Sequence, residues 1–142
     1  MVYRGVCARL NGQPDSSGEV LSPNVHIPNN PVNVTHDFYE KTSIGTAWIE
    51  IEGNEVITYV RFYDQDLFTK QMAEQLYAVV GGSILNRKGD SIDEWVLKDI
   101  AITASPCDKT LTRLKWNKRD NCCEYKGPPF RACHYCGSRE TI

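Results

Sequence analysis

The chain has 142 residues, of which 41% are hydrophobic and 24% charged, and its formal net charge is −2. That length and balance fit one globular domain and exclude an intrinsically disordered chain. The slight negative charge gives no general attraction to nucleic acid or to an anionic membrane. Met1-Val2-Tyr3-Arg4 lacks the apolar core of a signal peptide, and no run approaches the ~20 apolar residues of a membrane span. The sequence therefore carries no mark for export, and the sequon Asn33-Val34-Thr35 reads as a chance match.

Residues 3–10 alternate weakly and predict an opening strand, followed by a loop dense in turn formers from Asn11 to Gly18. Glu19 to Ser22 reads as a short strand before a Pro/Asn-rich passage holding Pro23, Pro28, Asn29, Asn30 and Pro31. Val32 to Thr35 then leads into His36-Asp37. In Gly45 to Glu52, Ala47, Ile49 and Ile51 alternate with polar partners and Trp48, and Glu55 to Tyr63 is rich in β-branched and aromatic residues. Only Gly53-Asn54 separates these runs, a pair suited to the positive φ angles of a tight turn, so the two form a hairpin.

From Asp64 to Val80 the period changes. Phe68, Met72, Leu76 and Val80 recur every four residues, with Leu67 and Val79 beside them. This predicts one amphipathic helix, capped by Asp64 or Asp66, stopped by Gly81-Gly82 and buried against the sheet. Ser83 to Asn86 reads as a short strand, Arg87 to Asp90 as a turn, Trp95 to Ala104 as a long apolar strand, and Leu111 to Trp116 as one more. The fold class is α+β: a β-rich curved sheet or small barrel with one main amphipathic helix outside. A boundary at Asn117 divides the domain 1–116 from a short Cys-rich tail, 117–142.

Three polar residues border apolar elements and could carry chemistry: His36, Ser83 and Asp99. Strand alternation puts Asp99 on the face of Trp95, Leu97 and Ala101, where a carboxylate needs a partner. In such a trio His36 would take the proton of the Ser83 hydroxyl, and Asp99 would hold the imidazole. Gly81 and Gly82 would let the backbone pass close to a substrate carbonyl. A Ser, a His and an Asp in so short a chain are weak evidence by spacing alone. Cys107 reads as an inert buried thiol and His26 as an exposed loop residue.

The tail holds Cys122, Cys123, Cys133 and Cys136 within fifteen residues. Cys133-His134-Tyr135-Cys136 has the spacing of a zinc knuckle, with Cys122 and Cys123 as the other pair or His134 as a substitute ligand. Structural zinc, disulfides and free thiols all remain open, because the choice follows the redox compartment.

In the order of its landmarks, from about Tyr3 to Lys115, the chain resembles the prohead (capsid maturation) serine proteases of tailed phages, whose fold is related to the herpesvirus assembly proteases. The landmarks are a loop with Asp15, Gly18 and Pro23, the pair His36-Asp37 before Ile44-Gly45, a hairpin and helix, the turn Gly81-Gly82-Ser83-Ile84, and the strand from Asp99 to Pro106. Leu85 stands where many members have a Gly after the nucleophile, and the tail is outside the family pattern. The resemblance implies an endopeptidase with Ser83, His36 and Asp99 as catalytic residues and no catalytic cofactor. It would process scaffold and major capsid proteins inside the prohead, in the host cytoplasm. The rival reading is a capsid decoration or cement protein of the virion, which keeps the fold, lacks catalysis and is open to self-association.

Overall fold

The computed structural model describes residues 1–37 and 42–117. The chain forms strands β1 (Tyr3–Arg9), β2 (Val20–Leu21), β3 (Val25–His26), β4 (Val32–His36), β5 (Gly45–Glu52) and β6 (Glu55–Phe62). A four-residue helix α1 (Lys70–Ala73) follows, then β7 (Tyr77–Lys88), β8 (Ser91–Thr103) and β9 (Lys115–Trp116). Among the described residues all nine strands join one mixed sheet in the order β2-β8-β4-β5-β6-β1-β9, with β3 and β7 also paired to β8.

The sheet is organised around β8. The short strands β2, β3 and β4 run parallel to it in succession, at Ser91–Ile92, Trp95–Val96 and Asp99–Ile102. The whole of β7 runs antiparallel to it on the other side. Beyond β4 the sheet continues through the β5–β6 hairpin, where Gly53 takes the left-handed φ of 58° that the turn requires. Curvature brings the two ends of this open sheet together, so that β1 and β7 approach within 8 Å between Cα atoms.

The concave face holds the larger core, built from Val34, Ala47, Ile49, Val56, Val60, Phe62, Ala78, Leu97, Ile100 and Ile102, among others. A second cluster on the convex face joins Val2, Val6, Trp48, Ile57 and Tyr59 to Leu111, with Tyr77 and Val79 packed against it.

The predicted main helix is absent: the chain is β-rich, and among the described residues the longest helix is the four-residue α1. Thr69, not Asp64 or Asp66, caps it by accepting a hydrogen bond from the Met72 N–H at 3.3 Å. Asp64 instead closes the preceding turn, accepting from the Asp66 and Leu67 amides at 3.1 and 3.0 Å. Phe68 stacks on Phe62 with ring centroids 4.3 Å apart, and Leu76 packs on the core, whereas Leu67 and Met72 are exposed. From Tyr77 the β-branched run continues as strand because the long apolar β8 supplies a full partner edge. Gly81-Gly82 does not stop an element but lies inside β7, and the predicted strand at Ser83 is its continuation.

Those glycines mark an irregularity. Gly81 pairs with Asp99 and Gly82 with Leu97, so Lys98 is the extra residue of a β-bulge. A Cβ on Gly82 would lie 1.9 Å from the Val96 carbonyl oxygen, closer than any real side chain sits. Gly82→Ala is expected to destabilise the fold by about 3 kcal/mol in a denaturant titration, since backbone must move to admit the methyl.

β9 wedges one end of the seam between β1 and β7. Tyr3 pairs with Trp116 and Arg4 with Lys115, antiparallel, while the Leu114 N–H donates to the Leu76 carbonyl at 2.9 Å. Glu74 adds a side-chain clamp, accepting from the Trp116 N–H at 3.2 Å and from Lys70 Nζ at 2.8 Å. The Lys70 hydrogen bond, followed by the Trp116 amide, lowers the Glu74 pKa from the ordinary carboxylate value. A lowered folded-state pKa stabilises above the unfolded pKa and ceases to do so as the pH falls through the folded value. Glu74→Gln should therefore cost about 0.5 kcal/mol near neutrality, a figure already discounted for solvent screening. Thermal melts should show that difference closing in acid.

Candidate functional site

His36, Ser83 and Asp99 all lie on strands around β8, and the strand register fixes how far apart they are. His36, the last residue of β4, pairs with Ile102. Ser83, in β7, pairs with Val96 on the opposite side of β8. Val96 and Ile102 are six positions apart, which at ~3.3 Å per residue separates the two backbones by roughly 20 Å along the strand. Ala78 is the β7 residue level with His36. Serine and histidine side chains cannot span such a gap, so His36 is out of hydrogen-bond reach of Ser83 in this arrangement.

Asp99 joins neither. It pairs with Gly81 on one side and Asn33 on the other, midway along β8. The bulge at Lys98 resets the alternation, so that Trp95, Leu97, Ile100 and Ile102 all belong to the concave core. Asp99 is thereby turned to the face opposite Ile100, away from Trp95 and Leu97, and is only half-buried. The expected sharing of a face with Trp95 and Leu97 fails because one extra residue inverts strand parity.

The actual neighbours are local. His36 Nδ1 lies 3.5 Å from the Asp37 carboxylate, both side chains being largely exposed. Asp37 itself takes a φ of 54°, a left-handed conformation that Asp and Asn tolerate better than most side chains. His26 is exposed as expected, and its Nε2 lies 2.8 Å from Glu94.

Ser83 lines something the sequence did not announce: a groove of about 740 Å³ between β1 and β7. One wall is Cys7-Ala8-Arg9 of β1, and the other is the unbroken run Val79 to Ile84 of β7. Successive strand residues point to opposite faces, so six in a row can line one cavity only if it is seen edge-on. Leu21, Ile92 and Trp95 add apolar surface, and Pro106 and Leu111 of the crossover after β8 border it. Asp37 shares this groove with Ser83, while His36 and Asp99 are not among its lining residues.

The groove is acidic. Among the described residues, Asp15, Glu19, Asp37 and Asp108 line it against the single cation Arg9. Arg9 is bonded to Glu55 and Thr110, and Glu19 to Arg87, which leaves Asp15, Asp37 and Asp108 with no Lys or Arg ion pair among the described residues. Two free cysteines also border it. Cys7 is buried, donates to the Val56 carbonyl at 3.3 Å, and has its thiol pKa pushed far up by desolvation. Cys107, expected to be buried, is exposed, because the loop that carries it runs over the surface.

Among the described residues no group of three or more His, Cys, Asp or Glu side chains is placed to hold a metal ion. The tail cysteines Cys122, Cys123, Cys133 and Cys136 lie outside the described residues.

No family model, curated protein or solved structure matches this chain.

The register makes a prediction independent of any activity assay. Residues that far apart with no shared partner should act additively, so a double-mutant cycle of His36→Ala and Ser83→Ala should give a coupling below about 0.5 kcal/mol. Urea titration of the four proteins measures it.

Proposed function

We propose that this chain acts by binding, as a capsid decoration or cement protein that uses a phage-protease-like sheet without its chemistry. The observation that carries the non-catalytic part is the register across β8, which separates His36 from Ser83 by six strand positions and turns Asp99 to the opposite face from Ile100. The shell partner rests on the resemblance in landmark order, from the loop at Asp15 to the strand ending near Pro106. A curved sheet with an open, apolar and acidic groove is a surface suited to holding a neighbouring chain.

Endopeptidase action on scaffold would need a base at Ser83. The side chains nearest in register across the ladder are Val96, Trp95 and Leu97, none of which accepts a proton.

Two measurements test the proposal together. A fluorophosphonate probe should leave Ser83 unlabelled under conditions that label a control serine hydrolase completely. The protein should also co-sediment with assembled shells of the cognate major capsid protein, and Ser83→Ala should co-sediment equally. Labelling of Ser83 that His36→Ala abolishes would establish the protease instead. Loss of co-sedimentation at micromolar protein would remove the shell as partner.

A further inference from the structure

The loop from Asn11 to Gly18 carries the one Asn-Gly pair of the sequence, Asn11-Gly12. Every other asparagine is followed by a residue with a side chain, and Asn30 by Pro31, which has no N–H. Glycine leaves the amide nitrogen after an asparagine unobstructed. That nitrogen can attack the asparagine's own side-chain carbonyl carbon and close a five-membered ring. In a folded chain the reaction is held back by burial, by a hydrogen bond from the nitrogen, or by a rigid extended backbone.

None of these restraints acts on this pair. Asn11, Gly12 and Gln13 are exposed and lie outside the strands. Among the described residues the Gly12 N–H donates to no protein acceptor. Gly12 has a left-handed φ of 78°, and a Cβ built on it would meet nothing within 4 Å. The nitrogen is therefore both unengaged and open to approach. The Asn11 side chain is also positioned, because its Oδ1 accepts from the Gln13 N–H at 3.1 Å. This bond folds the side-chain amide back over the peptide that attacks it. It also places a donor on the oxygen that gains negative charge as the ring closes.

We propose that Asn11 is a self-modifying site, which converts spontaneously to aspartate and iso-aspartate and so adds a carboxylate beside the groove. Hydroxide takes the Gly12 amide proton, and the nitrogen forms a bond to Asn11 Cγ. The Cγ–Nδ2 bond then breaks, and ammonia leaves with a proton from water. Water opens the resulting succinimide at one of two bonds. Cleavage between the Gly12 nitrogen and Cγ gives aspartate. Cleavage between that nitrogen and the backbone carbonyl carbon gives iso-aspartate, in which the chain runs through the former side chain. Either product adds one negative charge, taking the formal net charge from −2 to −3. Iso-aspartate also lengthens by one methylene the backbone of a loop whose Gln13 and Asp15 line the groove. The site does not depend on what the chain binds, because its chemistry needs only solvent.

The test incubates the full chain in mildly alkaline buffer and follows it by ion exchange and by fragmentation mass spectrometry of the tryptic peptide 10–41. A more acidic species should accumulate, with the mass gain of an amide-to-acid exchange located at residue 11. An iso-aspartyl methyltransferase should label it, and its rate of formation should rise in proportion to hydroxide. The native chain should convert at least as fast as the same chain in urea, because the fold supplies the Gln13 donor. Gln13→Pro, which removes that N–H, should slow conversion about threefold, the lower end of what one hydrogen bond contributes. Asn11→Gln should abolish it, since closure would need a larger ring, with thermal melts verifying that both variants fold.

An acidic species that persists in Asn11→Gln, or a mass gain located at another asparagine, would overturn the assignment. Faster conversion in urea than in the native chain would show that the fold protects Asn11 and would overturn it equally. An unchanged rate in Gln13→Pro would overturn the assisting role of the Gln13 amide.

Discussion

The strand β8 is the constraint on which the other elements depend. Thirteen residues long, it is flanked along its length by β7 on one edge and by β2, β3 and β4 in turn on the other. A strand with partners on both edges satisfies most of its backbone, and its Leu97, Ile100, Ala101 and Ile102 side chains are almost fully buried. The short strands β2 and β3 could not persist alone; each is two residues held against a template already formed. Trp95 ties that region further, its indole N–H donating to the Ser22 carbonyl at 3.0 Å. Because His36, Ser83 and Asp99 all lie on β8 or on strands paired to it, the register of β8 decides which of them can meet.

Sequence and structure agree where local pattern and tertiary demand coincide. The β5–β6 hairpin was legible because its concave-face residues Ala47, Ile49, Val56 and Val60 alternate with residues of the other face and a glycine supplies the turn. The helix was illegible for a specific reason. Phe68, Met72, Leu76 and Val80 are four residues apart, and an interval of four fits one face of a strand as well as a helical stripe. In β7 both faces are covered: Ala78 and Val80 turn to the concave core, while Tyr77 and Val79 meet Leu111 on the convex one. Neighbouring apolar residues on two buried faces of a strand read in one dimension like the broad face of a helix.

That the candidate trio does not come together reflects the same loss of dimension. His36, Ser83 and Asp99 each border an apolar element, as the sequence indicated, but strand order and register decide proximity, and neither can be read from such borders. Asp99 shows how a single residue changes the outcome. Strict alternation would have set it beside Trp95 and Leu97, and the extra Lys98 reverses it. One sequence signal did exist: a Gly-Gly pair within an apolar run is a recognised mark of a bulge or close backbone approach, and Gly82 is such a place. The groove had no comparable signal, because its lining comes from β1, the loop before β2, β7 and the crossover after β8.

A curved sheet that nearly closes must deal with the two edges it brings together. Full closure would pair β1 with β7 and abolish both edges; this chain instead inserts two residues of β9 and leaves the remainder apart. A register shift between Ile84 and Asn86 makes Leu85 an extra residue of β7 beside the groove, and bulges twist edges and weaken promiscuous pairing. Arg87 and Lys88 place charge at the exposed end of β7, which opposes pairing between identical chains. The edge of β7 is thus guarded by charge and irregularity rather than by the full pairing that a closed barrel would provide.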